Sequence, residues 1–189
     1  MTEPAKKYFD LFDDLSVDQR WFLHGPAAPT GEELGEFFTS GRKYEGGTPV
    51  VVRAVAGTPL ELTLTEDIVP IVNDRVAQIF SAHVGKDAQL VPASVLGTGE
   101  KLWAVNVLAI ADCIDDARSS GVARWTAADG KPDLIGKYRT IDEYKIDPAR
   151  AGNHAIFRPL GWNVALIISE PLGDALVRAG VRLTLRLVS

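Results

Sequence analysis

Apolar and polar residues alternate with a period of two along much of the chain, and the helical period surfaces only in short stretches. Leu60-Glu61-Leu62-Thr63-Leu64-Thr65 alternates cleanly, the pattern of a half-buried strand. Pro49–Val55 is rich in valine and also reads as a strand, and Gly57-Thr58-Pro59 between the two reads as a turn, so the pair predicts a hairpin. Ile68–Val72 is apolar, but Pro70 lacks a ladder donor, which places it on an edge. Gln89–Val95 and Leu102–Ile110 flank Gly97-Thr98-Gly99 as two joined strands. The second is apolar on both faces toward its end, so it is expected to be central, with Trp103 buried. Tyr8–Phe12 reads as an edge strand, and Arg20–Leu23 as a strand stopped by His24-Gly25-Pro26. Gly121–Trp125, His154–Arg158 (with Phe157 in the core) and Val164–Ile168 are further strands. Val181–Val188 is a terminal strand with Arg182, Thr184 and Arg186 on one face.

Three short helices fit between them. Thr30-Gly31-Glu32-Glu33 has the form of a capping box, followed by Leu34, Phe37 and Phe38 on one helical face. Asn73 or Asp74 caps a second helix, with Val76, Ile79, Phe80 and Val84 at helical spacing and Gly85 as its stop. Ser169 caps a third, with Pro171 in the first turn, Leu172, Ala175, Leu176 and Ala179 along one face, and Gly180 at the end. Strands without regular βαβ alternation predict an α+β fold, mainly antiparallel, with about three short helices. Residues 1–189 read as one domain, or two closely packed lobes.

Composition narrows the class. The chain has 189 residues, 46% hydrophobic and 24% charged, which excludes a disordered or fibrous protein. No apolar run reaches the ~18–20 residues of a membrane helix, so no membrane association is expected. Met1–Tyr8 has no apolar region of a secretion signal, and the single Cys113 cannot form an internal disulfide, so a reducing cytoplasm is the expected location.

The charge is unevenly spread. Of 25 acids and 20 Lys and Arg residues, positions 1–40 hold eight acids (Glu3, Asp10, Asp13, Asp14, Asp18, Glu32, Glu33, Glu36) and three bases, leaving seventeen of each elsewhere. The whole net charge of −5 therefore lies in the first fifth. Such a region repels phosphate backbones, which argues against nucleic acid as its partner, and attracts a basic protein.

Catalytic patterns are missing. The chain has no phosphate-cradling loop, no dinucleotide fingerprint and no nucleophile elbow, and His24, His83 and His154 show no metal spacing. Cys113, flanked by Asp112 and Asp115, reads as a buried small hydrophobe rather than a nucleophile. Asp112, Asp115 and Asp116 lack the glycine and distal glutamate of a calcium loop and read as solvated acids at a strand end. No metal or other cofactor is expected.

One ordered set of landmarks runs through nearly the whole chain. It comprises Arg20–Pro26, Gln89–Pro92, Leu108–Asp115 with Arg118-Ser119, His154–Arg158 and Leu166–Glu170 before a final helix and strand. In order and spacing they resemble a family of bacterial polymorphic-toxin immunity proteins, the Myxococcus-type family numbered eleventh among them. The resemblance implies a non-enzymatic protein that binds and neutralises a cognate toxin, one half of an effector–immunity pair in interbacterial competition. It transfers no contact residues. The charge pattern supplies candidates instead: Asp10, Asp13, Asp14, Asp18, Glu32, Glu33 and Glu36, with Asp115 and Asp116 as a second acidic cluster. Tyr8, Phe9, Phe12, Trp21, Phe22, Phe37 and Phe38 lie among the first group as anchors, unless they belong to the core. Two other classes stay open: a small ligand-binding or scaffold protein, and a hydrolase built on His154 with Asp112 or Asp115. A homo-oligomer also stays open.

Overall fold

The computed structural model describes residues 6–189; the reading of a missing secretion signal rests partly on Met1–Ala5, and Glu3 belongs there too, outside the described residues. The described chain is α+β, with thirteen strands, mostly antiparallel, and three short helices.

Six strands form the larger sheet: β2 (Phe22–Ala27), β3 (Val50–Val55), β4 (Leu62–Leu64), β5 (Pro70–Val72), β6 (Ala88–Val95) and β7 (Lys101–Val107), in the order β2-β3-β6-β7-β5-β4. The sheet curls until its edges meet. Leu23 bridges to Thr65, just past β4, and its carbonyl accepts from Glu66 N at 3.2 Å. The enclosed face holds Leu23, Val50, Val52, Ile71, Val91, Ala93, Leu102 and Ala104, together with Phe38 from the one-turn helix α1 (Gly35–Phe38). Trp21 is buried there too, and its indole N–H donates to Thr63 Oγ1 at 2.7 Å, satisfying both polar groups away from water.

The smaller sheet is β13 (Leu183–Leu187), β1 (Tyr8–Asp13), β12 (Ile167–Ser169), β11 (Ile156–Pro159) and β8 (Ile110–Ala111), in that order. Leu11, Ile156 and Ile168 on one face pack against Leu62, Leu64, Val72, Val105 and Val107 from the outside of the curled sheet. The helices α2 (Asp74–Val84) and α3 (Glu170–Arg178) complete this central core through Val76, Phe80, Leu172 and Leu176. The opposite face of the smaller sheet, with Tyr8, Phe157 and Ile167, is covered by Cys113, Ile114, Tyr144 and Ile146. That covering segment carries the two-stranded hairpin β9 (Ala123–Arg124) and β10 (Tyr138–Thr140).

Several local expectations change once strands find partners. Tyr8–Asp13 is not an edge, because β13 returns from the far end of the chain and pairs along it. Strand β2 runs on through His24-Gly25-Pro26. Its register shifts between His24 and Ala27, so Pro26 lies where the ladder is already interrupted, and Gly25 at φ +100° lets the backbone approach Val51. The expected hairpin of β3 with the Leu60–Thr65 segment does not form. Instead β3 pairs with β2 and, in parallel, with β6, while β4 pairs with β5. Pro70 does not mark an edge, since β5 lies between β7 and β4; it opens the strand, and the β7 ladder starts at Ile71, so its missing N–H costs nothing. Thr30–Glu33 forms no capping box: Ala28 N donates to Glu32 O in a turn, Glu33 bridges to Ala27, and Leu34 takes the N-cap position. Trp103 is half-buried at the rim, where its indole N–H donates to Asp74 Oδ1 at 2.6 Å.

Candidate functional site

The acids of the first forty residues divide by the elements that carry them. On β1, Tyr8 and Asp10 point to one face and Phe9 and Leu11 to the other. Asp10 is buried; its Oδ2 accepts from Arg186 Nη2 at 2.7 Å, and its Oδ1 from Leu166 N at 3.4 Å. Burial pushes its carboxyl up, against the opposing pull of Tyr144 and Arg186. Asp13 is buried as well and accepts from Arg20 Nε at 3.1 Å. Both carboxylates are buried and engaged by arginines, whereas a contact role calls for carboxylates open at the surface. Asp14 closes a local turn through Ser16 N and Oγ, bonds that hold its carboxyl below the usual range. Asp18 is exposed.

Asp115 and Asp116 are also committed. Asp115 accepts from Arg118 Nε at 2.6 Å. Asp116 accepts from Tyr138 Oη at 2.6 Å and Arg124 Nη2 at 2.9 Å, which together lower its carboxyl, and Asp112 pairs with Arg150 at 2.8 Å. Each of these acids is matched by an arginine. No group of three or more potential metal ligands occurs among the described residues.

Glu32, Glu33 and Glu36 behave differently. All three are exposed, on the turn before α1 and on α1 itself. Across from them stands the β4–β5 loop with Glu66 and Asp67. The loop is closed by Thr65 N on Val69 O at 3.0 Å, Ile68 N on Thr65 O at 2.9 Å and Val69 N on Thr65 Oγ1 at 3.2 Å. Gly35 makes the approach feasible, since a Cβ there would fall 1.8 Å from Asp67 Oδ2. Burial first, and then the charges of Glu66, Glu33 and Glu36, push the Asp67 carboxyl up. The acids of two distant segments thus share one face. Glu66 extends it toward β2 through His24 Nδ1 at 2.8 Å. Beside His24 lies Phe22, 50% exposed, with its cross-strand partner Val55 at 48%. Of the aromatics expected as anchors, Tyr8, Trp21 and Phe38 are core, Phe9, Phe12 and Phe37 are half-buried, and Phe22 is exposed. Charge counting over residues 1–40 misses Glu66 and Asp67; their only local signal is a polar Thr-Glu-Asp between two apolar runs.

His154 pairs with neither Asp112 nor Asp115. Its Nδ1 lies 2.8 Å from Asp87 Oδ1, and Asp87 Oδ2 accepts from Ala155 N at 2.7 Å. An ionised carboxylate only accepts, so Nδ1 is the donor in this pair. A cleft of about 480 Å³ beside it is lined by Lys7, His83, Ser169 and Glu170. No described hydroxyl or thiol donates to His154. Cys113 is fully buried, and burial pushes its thiol up to about 12, which suppresses the thiolate. No helix among the described residues is long and apolar enough to cross a membrane.

No family model matches the chain, and no curated protein matches its sequence.

Proposed function

We propose that this protein is a non-enzymatic immunity protein of the cytoplasm, which binds a cognate toxin encoded next to it and covers the toxin's basic working surface. The observation that supports this reading is the acidic face of Glu33, Glu36, Glu66 and Asp67 beside the exposed Phe22–Val55 pair. Carboxylates at a rim steer a basic partner and set its register, while an exposed aromatic next to them gives a desolvated anchor. Toxins that act on nucleic acids need positive clefts, and a wall of carboxylates fills such a cleft as phosphate would. The reading needs no cofactor, nucleic acid or membrane.

Co-expression tests it. The protein should rescue growth of cells making the neighbouring toxin gene product, and the two should copurify. Absence of both rescue and binding overturns the reading. A hydrolytic function draws on the His154–Asp87 pair alone. It would replace the proposal if a purified sample turned over an ester or amide substrate and His154→Ala abolished the turnover.

A further inference from the structure

Arg158 has no exposed surface, and its charge faces no hydrogen-bonded carboxylate among the described residues. Its guanidinium is used on backbone instead. Nη1 donates to Asn163 O at 2.7 Å, Nη2 donates to Ile68 O at 2.6 Å, and Nε is left without a partner. A buried arginine with an unmet donor is a costly arrangement that neighbouring apolar residues could have avoided.

Both acceptors lead to the acidic face. Ile68 stands at φ +58°, a left-handed conformation in which a β-branched residue is strained. Its carbonyl is held there by Arg158, and the two residues before it are Glu66 and Asp67. On the other side, Asn163 Nδ2 donates to Thr39 Oγ1 at 3.3 Å, and Thr39 Oγ1 donates to Glu36 O at 3.1 Å. One guanidinium therefore ties the β4–β5 loop and the end of α1 to β11. Its positive charge also opposes the push of burial and of the neighbouring acids on Asp67.

We infer that Arg158 is the positioning residue of the acidic face: it sets the spacing of Glu33, Glu36, Glu66 and Asp67 from beneath and offsets part of their mutual repulsion. It does not touch the partner itself. The inference rests on the proposed partner-binding role for its consequence, but its geometry can be read without any partner. A preorganised row of charges binds faster and with less ordering cost than acids on two independent loops.

The test uses the full chain with Arg158→Met, Arg158→Lys and Thr39→Val. Amide exchange should lose about tenfold protection or more at Ile68, Val69, Thr39 and Ser40 in Arg158→Met, with α2 amides unchanged, since local opening exposes only the freed units. The Asp67 carboxyl, followed by NMR, should titrate higher in Arg158→Met and return toward its original midpoint in Arg158→Lys. Thr39→Val, which removes a single hydroxyl, should loosen Thr39 and Ser40 while leaving Ile68 and Val69 protected; it serves even if Arg158→Met does not fold. Association with the toxin should slow about tenfold at low salt in Arg158→Met. Unchanged local protection and unchanged Asp67 titration overturn the inference, as does a loss of protection spread evenly over the whole chain. If the local pattern appears and no toxin associates with the unaltered protein, the positioning role stands and the immunity reading falls.

Discussion

Phe157 has no exposed surface, and the ring of Tyr8 meets it edge-on with 5.5 Å between centroids. Its neighbours Cys113 and Ile146 come from the segment covering the smaller sheet, so little can move in to fill a void. Phe157→Ala should cost about 3–5 kcal/mol. Trp103 belongs to a longer apolar run but lies half-buried with its indole N–H on Asp74, so Trp103→Ala should cost less. Denaturant melts of the two variants should keep that order; a loss below about 1 kcal/mol for Phe157→Ala would contradict its place in the core. Residue type marked both as apolar. Which of them sits at a rim depends on where β7 leaves the central core, and no count of apolar neighbours in sequence reports that.

At the scale of elements, α2 and α3 begin with the same kind of residue and differ in what it does. Asn73 Oδ1 accepts from Val76 N at 3.0 Å, a working cap, while Ser169 holds the cap position of α3 with no side-chain bond to the helix. Asn73→Ala should therefore lower stability by about 1 kcal/mol, and Ser169→Ala by much less. Equal losses in thermal melts would mean that the Ser169 hydroxyl caps after all. Both helices are legible in sequence because their signals are local: a polar cap, an i, i+3, i+4 stripe and a glycine stop. The one-turn α1 forms where Phe37 and Phe38 lead one to expect it, but its start is not legible, because the Thr30–Glu33 signal is overridden when Glu33 bridges to Ala27 and Ala28 N takes the Glu32 carbonyl.

For the molecule as a whole, position in the fold separates acids buried against arginines, such as Asp10 and Asp13, from acids left exposed, such as Glu33 and Glu36. Reversing Glu33 and Glu36 together to lysine should leave the melting temperature unchanged, slow association with the proposed toxin partner and flatten its salt dependence. Reversing Asp10 and Asp13 should instead destabilise the fold, by about 3 kcal/mol or more, because it puts cations into buried positions, one of them facing the half-exposed Arg186. Stopped-flow association at low salt and denaturant melts of the two double variants separate these outcomes. A loss of association confined to the Asp10 and Asp13 reversal, in a protein still folded, would move the interface to the smaller sheet.

The α+β class, the sites of most strands, the cap and stop of α2, and the burial of Cys113 and Phe157 are all legible in local sequence. Each of these depends on residues within about one turn or a few strand positions of one another. Tertiary structure alone decided that β1 is interior, that β3 and β4 take different partners, and that the larger sheet curls until Leu23 meets Thr65. A period of two reports which face of a strand is buried, never which strand lies beside it. The same limit applies to charge. Asp10 and Glu36 are equal in a count of acids. The first is withdrawn by Arg186, 176 positions away, while the second joins Asp67 across a loop held by a buried arginine near the other end of the chain.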